Sequence, residues 1–203
     1  MLQQPANTTS RVQASQRVAF VQAGWHRDIV DQCRLSFTAE MVSLGYAENE
    51  IDFFEVAGAL EIPLHARLLA QSGDYAAVVA AGLVADGGIY RHEFVAQAAI
   101  SGLMEVQLMT GVPVISAVLT PHRFHAGEEH RKFFYEHFQV KGAEAARACA
   151  STIRAVGRHG ASRRGVGLGR RAFASRTIWR LATATAMDPP IHLLFPFNWL
   201  EST

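Results

Sequence analysis

The sequence predicts a three-layer α/β/α fold in which a four-stranded parallel sheet carries helices on both faces. Three observations lead there. Short apolar runs rich in β-branched residues alternate with longer segments of helical apolar spacing. Each run leads through a glycine-containing turn into a helix, the order of a βα unit. Hydrophobic residues make up 49% of the 203 residues, ample for one core.

Taken in order, Arg17-Val-Ala-Phe-Val-Gln22 is the first β-prone run, and Ala23-Gly-Trp-His26 is the turn that leaves it. Arg27 to Gly45 reads as a helix with Ile29, Val30, Cys33, Leu35, Phe37, Met41, Val42 and Leu44 on a broad apolar face, ended by a glycine. Ile51-Asp-Phe-Phe-Glu-Val56 is the second strand. The loop Ala57 to Leu60 follows, then a helix from Glu61 to Gln71 with Pro63 tolerated in its first turn. After the turn Ser72-Gly73-Asp74, the apolar run Ala76 to Ala81 is a buried strand, and Arg91 to Met109 is a long helix. Pro113 introduces the fourth strand, Val114 to Leu119, at a position where a missing N–H does least harm. A histidine-rich segment, His122 to His137, precedes a last helix from Lys141 to Val156. No internal repeat is visible.

Ligands of such sheets bind beyond the carboxyl ends of the strands. That rule gathers Ala23–His26, Ala57–Glu61, Gly82–His92 and Ser116–His122 at one edge. The turn Gly82 to Val95 is the richest of these. Gly87 and Gly88 have no Cβ, so a ligand can approach the backbone, and the N–H groups of the following helix favour an anion such as phosphate. Arg91, His92 and Glu93 add a cation, a group titrating near neutral pH and a carboxylate within one turn. Trp25, just past the first strand, is either a core residue or a stacking platform. Glu61 either complements a helix dipole or hydrogen-bonds a polar ligand.

Several classes are disfavoured. Gln22-Ala-Gly-Trp25 is not the G-x-G-x-x-G of a dinucleotide site, no Gly-Lys-Ser/Thr marks a P-loop, and no serine or cysteine sits in a nucleophile elbow. His122, His125, His130 and His137 are spaced by three, five and seven, which matches no metal motif, so no metal site is expected; the histidines read as solvent-facing, or His130 binds an anion with Arg131. Cys33 and Cys149 lack a CxxC pattern and read as buried small residues. No apolar run approaches the roughly 20 residues needed to cross a bilayer. Residues 1–16 are polar without a signal-peptide core, so a flexible N-terminal arm and a cytoplasmic protein are expected.

The net charge of +1 conceals an asymmetry. Residues 1–144 hold 10 Lys+Arg against 16 Asp+Glu, or −6, whereas residues 145–203 hold nine Arg against two acids, or +7. Residues 17–156 are expected to form the domain and 157–203 a basic, low-complexity tail that is disordered or read from a shifted GC-rich frame. The tail has no lysine and no aromatics at stacking spacing, so nucleic acid is not the expected partner.

With the four loops in view, the chain resembles the lumazine synthase family of riboflavin biosynthesis from about Val18 to Ala150. The motifs that carry the likeness are Trp25 after the first strand, Val56-Ala-Gly-Ala-Leu-Glu-Ile-Pro63, the glycine-rich turn, Val112-Pro-Val114 followed by Val118-Leu-Thr120, and Lys141-Gly-x-Glu-Ala-Ala146. The resemblance implies a flavodoxin-like sheet and a reaction that needs no cofactor. In it, 5-amino-6-(D-ribitylamino)uracil condenses with 3,4-dihydroxy-2-butanone 4-phosphate, phosphate is eliminated, and ring closure with loss of water gives 6,7-dimethyl-8-ribityllumazine. Trp25 would stack on the pyrimidine, and Ala59, Leu60 and Glu61 would hold the ribityl chain. Leu83, Val84 and Ala85 would meet the edge of the heterocycle, and Gly87, Gly88 and Ile89 would cradle the phosphate. Ser116 and the His130/Arg131 region would complete the site from the next subunit of a homopentamer.

The family's usual turn reads Gly-Ala-Thr-x-His, whereas this chain has Gly87-Gly-Ile-Tyr-Arg91. The proton-transfer slot therefore holds Arg91, with His92 beside it, and the phosphate arginine falls at His130 or Arg131. The combination resembles the family's second branch, whose alphaproteobacterial members pair pentamers into decamers. The alternative on the same fold is a flavin- or lumazine-binding protein with little turnover.

Overall fold

The computed structural model describes residues 17–86, 91–121 and 127–165. Expectations for residues 1–16, for Gly87, Gly88 and Ile89, for His122 and His125, and for the chain beyond residue 165 lie outside the described residues. The elements run β1 (Val18–Ala23), α1 (Arg27–Ser43), a 3-10 turn (Glu48–Glu50), β2 (Ile51–Val56), α2 (Ile62–Ser72), β3 (Ala77–Leu83), α3 (His92–Thr110), β4 (Val114–Leu119) and α4 (Glu128–Gly165). The four strands are parallel, in the order β2-β1-β3-β4. Phe20 stands between Phe53 of β2 and Val79 of β3, and Leu83 pairs with Leu119 of β4.

Every residue of β1 and β3 is buried, while the outer strand β2 alternates. Strands covered on both faces need continuous apolar runs, and the two central strands have them. Successive side chains point to opposite faces. Val18 and Phe20 meet α1 and α4 through Ile29, Phe37, Phe138 and Cys149. Ala19 and Val21 meet α2 and α3 through Ile62, Ala66 and Leu103. The expected three layers are therefore present. Among the described residues no helix is long and apolar enough to cross a membrane.

Two expectations need correction. The apolar face of α1 is narrower than the one read from the sequence: Ile29, Val30, Cys33, Phe37 and Met41 are buried, whereas Leu35, Val42 and Leu44 are exposed. At 3.6 residues per turn the buried five share one stripe, Leu35 and Val42 fall on the opposite side, and Leu44 lies past the helix end. The last helix spans Glu128–Gly165 rather than Lys141–Val156: Phe134 and Phe138, four residues apart, extend its core-facing stripe into the histidine-rich segment, and its far end runs into the first residues expected to be a disordered tail.

Helices α1 and α4 cross closely and run in the same direction. Ser36 donates to the Gln139 carbonyl at 2.6 Å, Gln139 to the Gln32 side chain at 3.1 Å, and Arg147 to Glu40 at 2.9 Å. A methyl group on Gly142 would lie 2.3 Å from the Cys33 carbonyl oxygen and 3.0 Å from the Phe37 nitrogen. Cys33 and Cys149 are free and buried, as expected, and burial pushes each thiol up to about 12.

The amino edge is tied by Arg17. Its guanidinium grips the Asp52 carboxylate of β2, with Nε donating to Oδ2 at 3.1 Å, and Nη1 donates to the Asn49 carbonyl at 3.1 Å. The hydrogen bonds from Arg17 hold the Asp52 carboxyl below its ordinary value. A depressed carboxylate stabilises the fold above its unfolded value, about 4, and that contribution is lost as pH falls through the folded value. An Arg17→Gln variant should therefore melt below the parent at pH 7, and the two melting temperatures should converge below about pH 4. A gap that persists at pH 2 in thermal melts would refute this.

Candidate active site

The carboxyl edge is shaped first by the turn after β1. The Gly24 N–H donates to the Val56 carbonyl at 2.8 Å, tying the end of β1 to the end of β2. A methyl on Gly24 would stand 3.3 Å from that oxygen. His26 adopts a left-handed conformation with φ 52° and ψ 41°, and its carbonyl accepts the Ile29 and Val30 N–H groups at 3.0 Å to open α1. The tight turn turns Trp25 outward, and the indole is 67% exposed. Of its two readings, the core one does not hold.

The loop after β2 meets Trp25. A methyl on Gly58 would lie 3.2 Å from Glu61 Oε2 and 3.9 Å from Trp25 Nε1, so the indole edge and the carboxylate flank the same glycine. Glu61 occupies the cap position of α2, yet its side chain makes no capping hydrogen bond. Its carbonyl accepts the His65 N–H at 3.3 Å. Ala59 packs partly buried against the α2 side of the core, and Leu60 is exposed. On the other side, Leu83 and Val84 are buried and Ala85 is partly so. Val84 donates its N–H to the Leu119 carbonyl at 2.9 Å, which carries the β3–β4 pairing one residue past the strand.

The helix α3 starts at His92, one residue later than the sequence suggests, with Arg91 in the cap position. The two candidates for proton transfer differ sharply. The His92 side chain is only 13% exposed, and its Nδ1 lies 3.7 Å from Glu93 Oε2. Arg91 is exposed, and its guanidinium sits over the Phe94 ring at 5.1 Å.

Ser116 is exposed in the middle of β4, opposite Ala80, and donates nothing to the edge; its oxygen accepts the Val118 N–H at 3.3 Å. Three residues short of the strand end and two strands from β1, it stands roughly 10 Å from the Trp25 level in each direction. The chain by itself does not bring it to the cluster. His130 packs edge-on to Phe134 at 6.4 Å. Arg131 reaches from the first turn of α4 to the Asp28 carboxylate in the first turn of α1.

Two residues beside the site were not named as candidates from the sequence. His26 is the only non-glycine residue with positive φ among those described. Burial, then Arg131, pushes its imidazole below its ordinary value, against an opposing pull from Asp28. Asp28 joins this group through Arg131. The local signal for His26 was its place right after Trp25, whereas nothing local marks a pair 103 residues apart. Among the described residues no group of three or more His, Cys, Asp or Glu side chains could hold a metal ion.

A parallel sheet whose carboxyl-edge loops carry an exposed indole, a carboxylate and a helix start has the architecture in which α/β proteins bind their ligands. The model of the 6,7-dimethyl-8-ribityllumazine synthase family matches residues 15–156, and the chain belongs to that family. It is 63% identical to "6,7-dimethyl-8-ribityllumazine synthase 2" of Pseudomonas syringae pv. tomato over 150 residues, covering 74% of this chain and 88% of the relative. Identity is 62% to the 6,7-dimethyl-8-ribityllumazine synthase of Rhodococcus erythropolis, over 70% of this chain and 91% of that one. A synthase 2 of Bradyrhizobium diazoefficiens is 56% identical, with 73% and 89% covered.

Proposed function

We propose that the carboxyl edge carries the family's condensation, with roles that follow from where the side chains stand. The chain is a transferase of riboflavin biosynthesis, a lumazine synthase acting on small-molecule substrates within an oligomer. Its reaction joins 5-amino-6-(D-ribitylamino)uracil to 3,4-dihydroxy-2-butanone 4-phosphate. The amine attacks the ketone and water leaves; phosphate is eliminated; the ribitylamino nitrogen closes the second ring with loss of water, giving 6,7-dimethyl-8-ribityllumazine.

The observation that best supports this placement is the meeting of Trp25, Gly58 and Glu61. The exposed indole suits stacking on the pyrimidine. Ala59, Leu60 and Glu61 suit the hydroxylated ribityl chain, the Glu61 carboxylate accepting its O–H groups. The buried Leu83 and Val84 leave backbone at the edge, as contact with the heterocycle rim requires. Gly87, Gly88 and Ile89 are assigned to the phosphate with Arg131, and His92 to proton transfer. Two reactive molecules need chiefly to be held together, and stacking with anion binding does that.

Following lumazine absorbance after mixing both substrates tests the reading. A rate above the uncatalysed condensation is expected. Trp25→Ala should weaken pyrimidine binding about fivefold or more, a stacked ring being worth about 1 kcal/mol. No catalysed rate combined with tight riboflavin binding would favour the binding-protein alternative, and an unchanged KM in Trp25→Ala would remove the stacking role.

Exposed Leu64 and Leu68 of α2 and Met104, Leu108 and Met109 of α3 give apolar faces that neighbouring copies can cover. They support self-association; the assembly we propose is a cytoplasmic pentamer that pairs into a decamer, and native mass measurement reads the subunit number directly. Ser116 then enters a neighbour's site rather than its own.

A further inference from the structure

The cross-links between α1 and α4 form a series, and the one at the carboxyl edge differs from the rest in what it leaves unused. Gln32–Gln139, Ser36–Gln139 and Glu40–Arg147 join the helices along their length. Asp28–Arg131 is the first rung of that series, where both helices start beside the loops of the site. Only Arg131 Nη2 contacts Asp28, through Oδ2. Nε and Nη1 make no hydrogen bond to Asp28. A guanidinium offers five N–H donors in a fixed fork and a carboxylate in this geometry occupies one arm, which leaves the other free for a phosphate.

The surroundings favour this orientation over a free-swinging side chain. His26, at the head of α1, feels the Arg131 charge, so the imidazole, the guanidinium and the Asp28 carboxylate stand together beside Trp25. Burial keeps His26 toward its neutral form, so it does not compete for Asp28 as a second cation. The pair itself is half exposed, with 46% and 55% of the two side chains open to solvent. It therefore does little for stability. Its effect lies in orientation: an arginine left loose must lose its rotamer freedom when phosphate binds, and a tethered one has already lost it.

We infer that Asp28 is a positioning residue for the phosphate-bearing substrate, holding Arg131 by one arm so that the rest of the guanidinium is presented to the phosphate group. This rests on the assignment of Arg131 to phosphate given above. Asp28 touches no substrate and acts through Arg131 alone.

The test is a double-mutant cycle on the full-length protein, read as the separate KM values of the two substrates. Arg131→Ala tests the underlying assignment and should raise the KM for the butanone phosphate and weaken inhibition by inorganic phosphate. Asp28→Asn keeps the shape and removes the charge. It should raise the KM for the butanone phosphate about three- to tenfold, the range that ordering one long side chain is worth, with kcat and the pyrimidine KM little changed. Asp28→Glu should restore part of the loss. In the Arg131→Ala background Asp28→Asn should have no further effect, since the group it positions is gone. If Arg131→Ala acts as expected and Asp28→Asn leaves the phosphate-substrate KM at the parent value or lowers it, the inference is overturned while the assignment of Arg131 stands. If Arg131→Ala changes neither KM nor phosphate inhibition, the assignment fails and the inference with it. Equal effects of Asp28→Asn on both substrates, or additivity with Arg131→Ala, would mark a general structural role and also overturn it.

Discussion

Gly142→Ala is expected to lower the melting temperature by about 6 to 12 °C, since among the described glycines an added methyl here makes the closest contact. The added carbon would fall 2.3 Å from the Cys33 carbonyl oxygen, and that oxygen belongs to backbone inside α1. Neither helix can yield locally, because Ser36, Gln139, Glu40 and Arg147 pin them together on both sides of the contact. The helices must separate along their length, which costs about 3 kcal/mol on the scale of overpacked cores. Gly157→Ala is the control. It sits on the same helix, nothing lies within 4 Å of its added methyl, and it should stabilise by up to about 1 kcal/mol through helix propensity. Thermal unfolding of both variants decides the matter, and a Gly142→Ala protein that melts with the parent would show that the crossing can open.

His92→Ala should reduce kcat about 100-fold or more, and Arg91→Ala less than tenfold. General acid–base groups contribute on that scale when their pKa lies near the working pH. An imidazole nitrogen can accept a proton and return it, whereas a guanidinium has donors only. Position points the same way, since the largely buried His92 opens α3 next to Glu93 while Arg91 lies exposed over Phe94. The pH profile separates the two. The His92→Ala profile should lose one limb of the parent's bell, and the Arg91→Ala profile should keep both. A bell retained in His92→Ala and lost in Arg91→Ala would assign the proton to the other residue.

The difference between these neighbours marks where sequence reading ran out. A parallel four-stranded sheet with helices on both faces, a buried third strand and the gathering of loops at one edge were legible, because they follow from apolar runs that alternate with segments of helical spacing. The family likeness placed Arg91 in the proton slot by counting residues. Counting cannot report that Arg91 lies in the cap position with its guanidinium over its own Phe94, which is a choice of rotamer. Apolar content alone put Leu35 and Val42 on the core face of α1, although the angular position of each excludes it. Trp25 and Glu61 were named from their places in the chain, but their meeting over Gly58 depends on the left-handed turn at His26, for which the sequence holds no glycine signal. The Asp28–Arg131 link was invisible for a simpler reason: nothing local ties the first turn of α1 to the first turn of a helix that starts after all four strands.

The two cysteines give the molecule a built-in gauge. With burial pushing each thiol up to about 12, little of either is ionised at pH 7, and the thiolate is the reactive form. Cys33 lies in α1 and Cys149 in α4, one on each side of the crossing at Gly142. A thiol reagent therefore stays idle while the two helices remain together, and the rate at which it consumes these side chains times their parting, with no label added to the site.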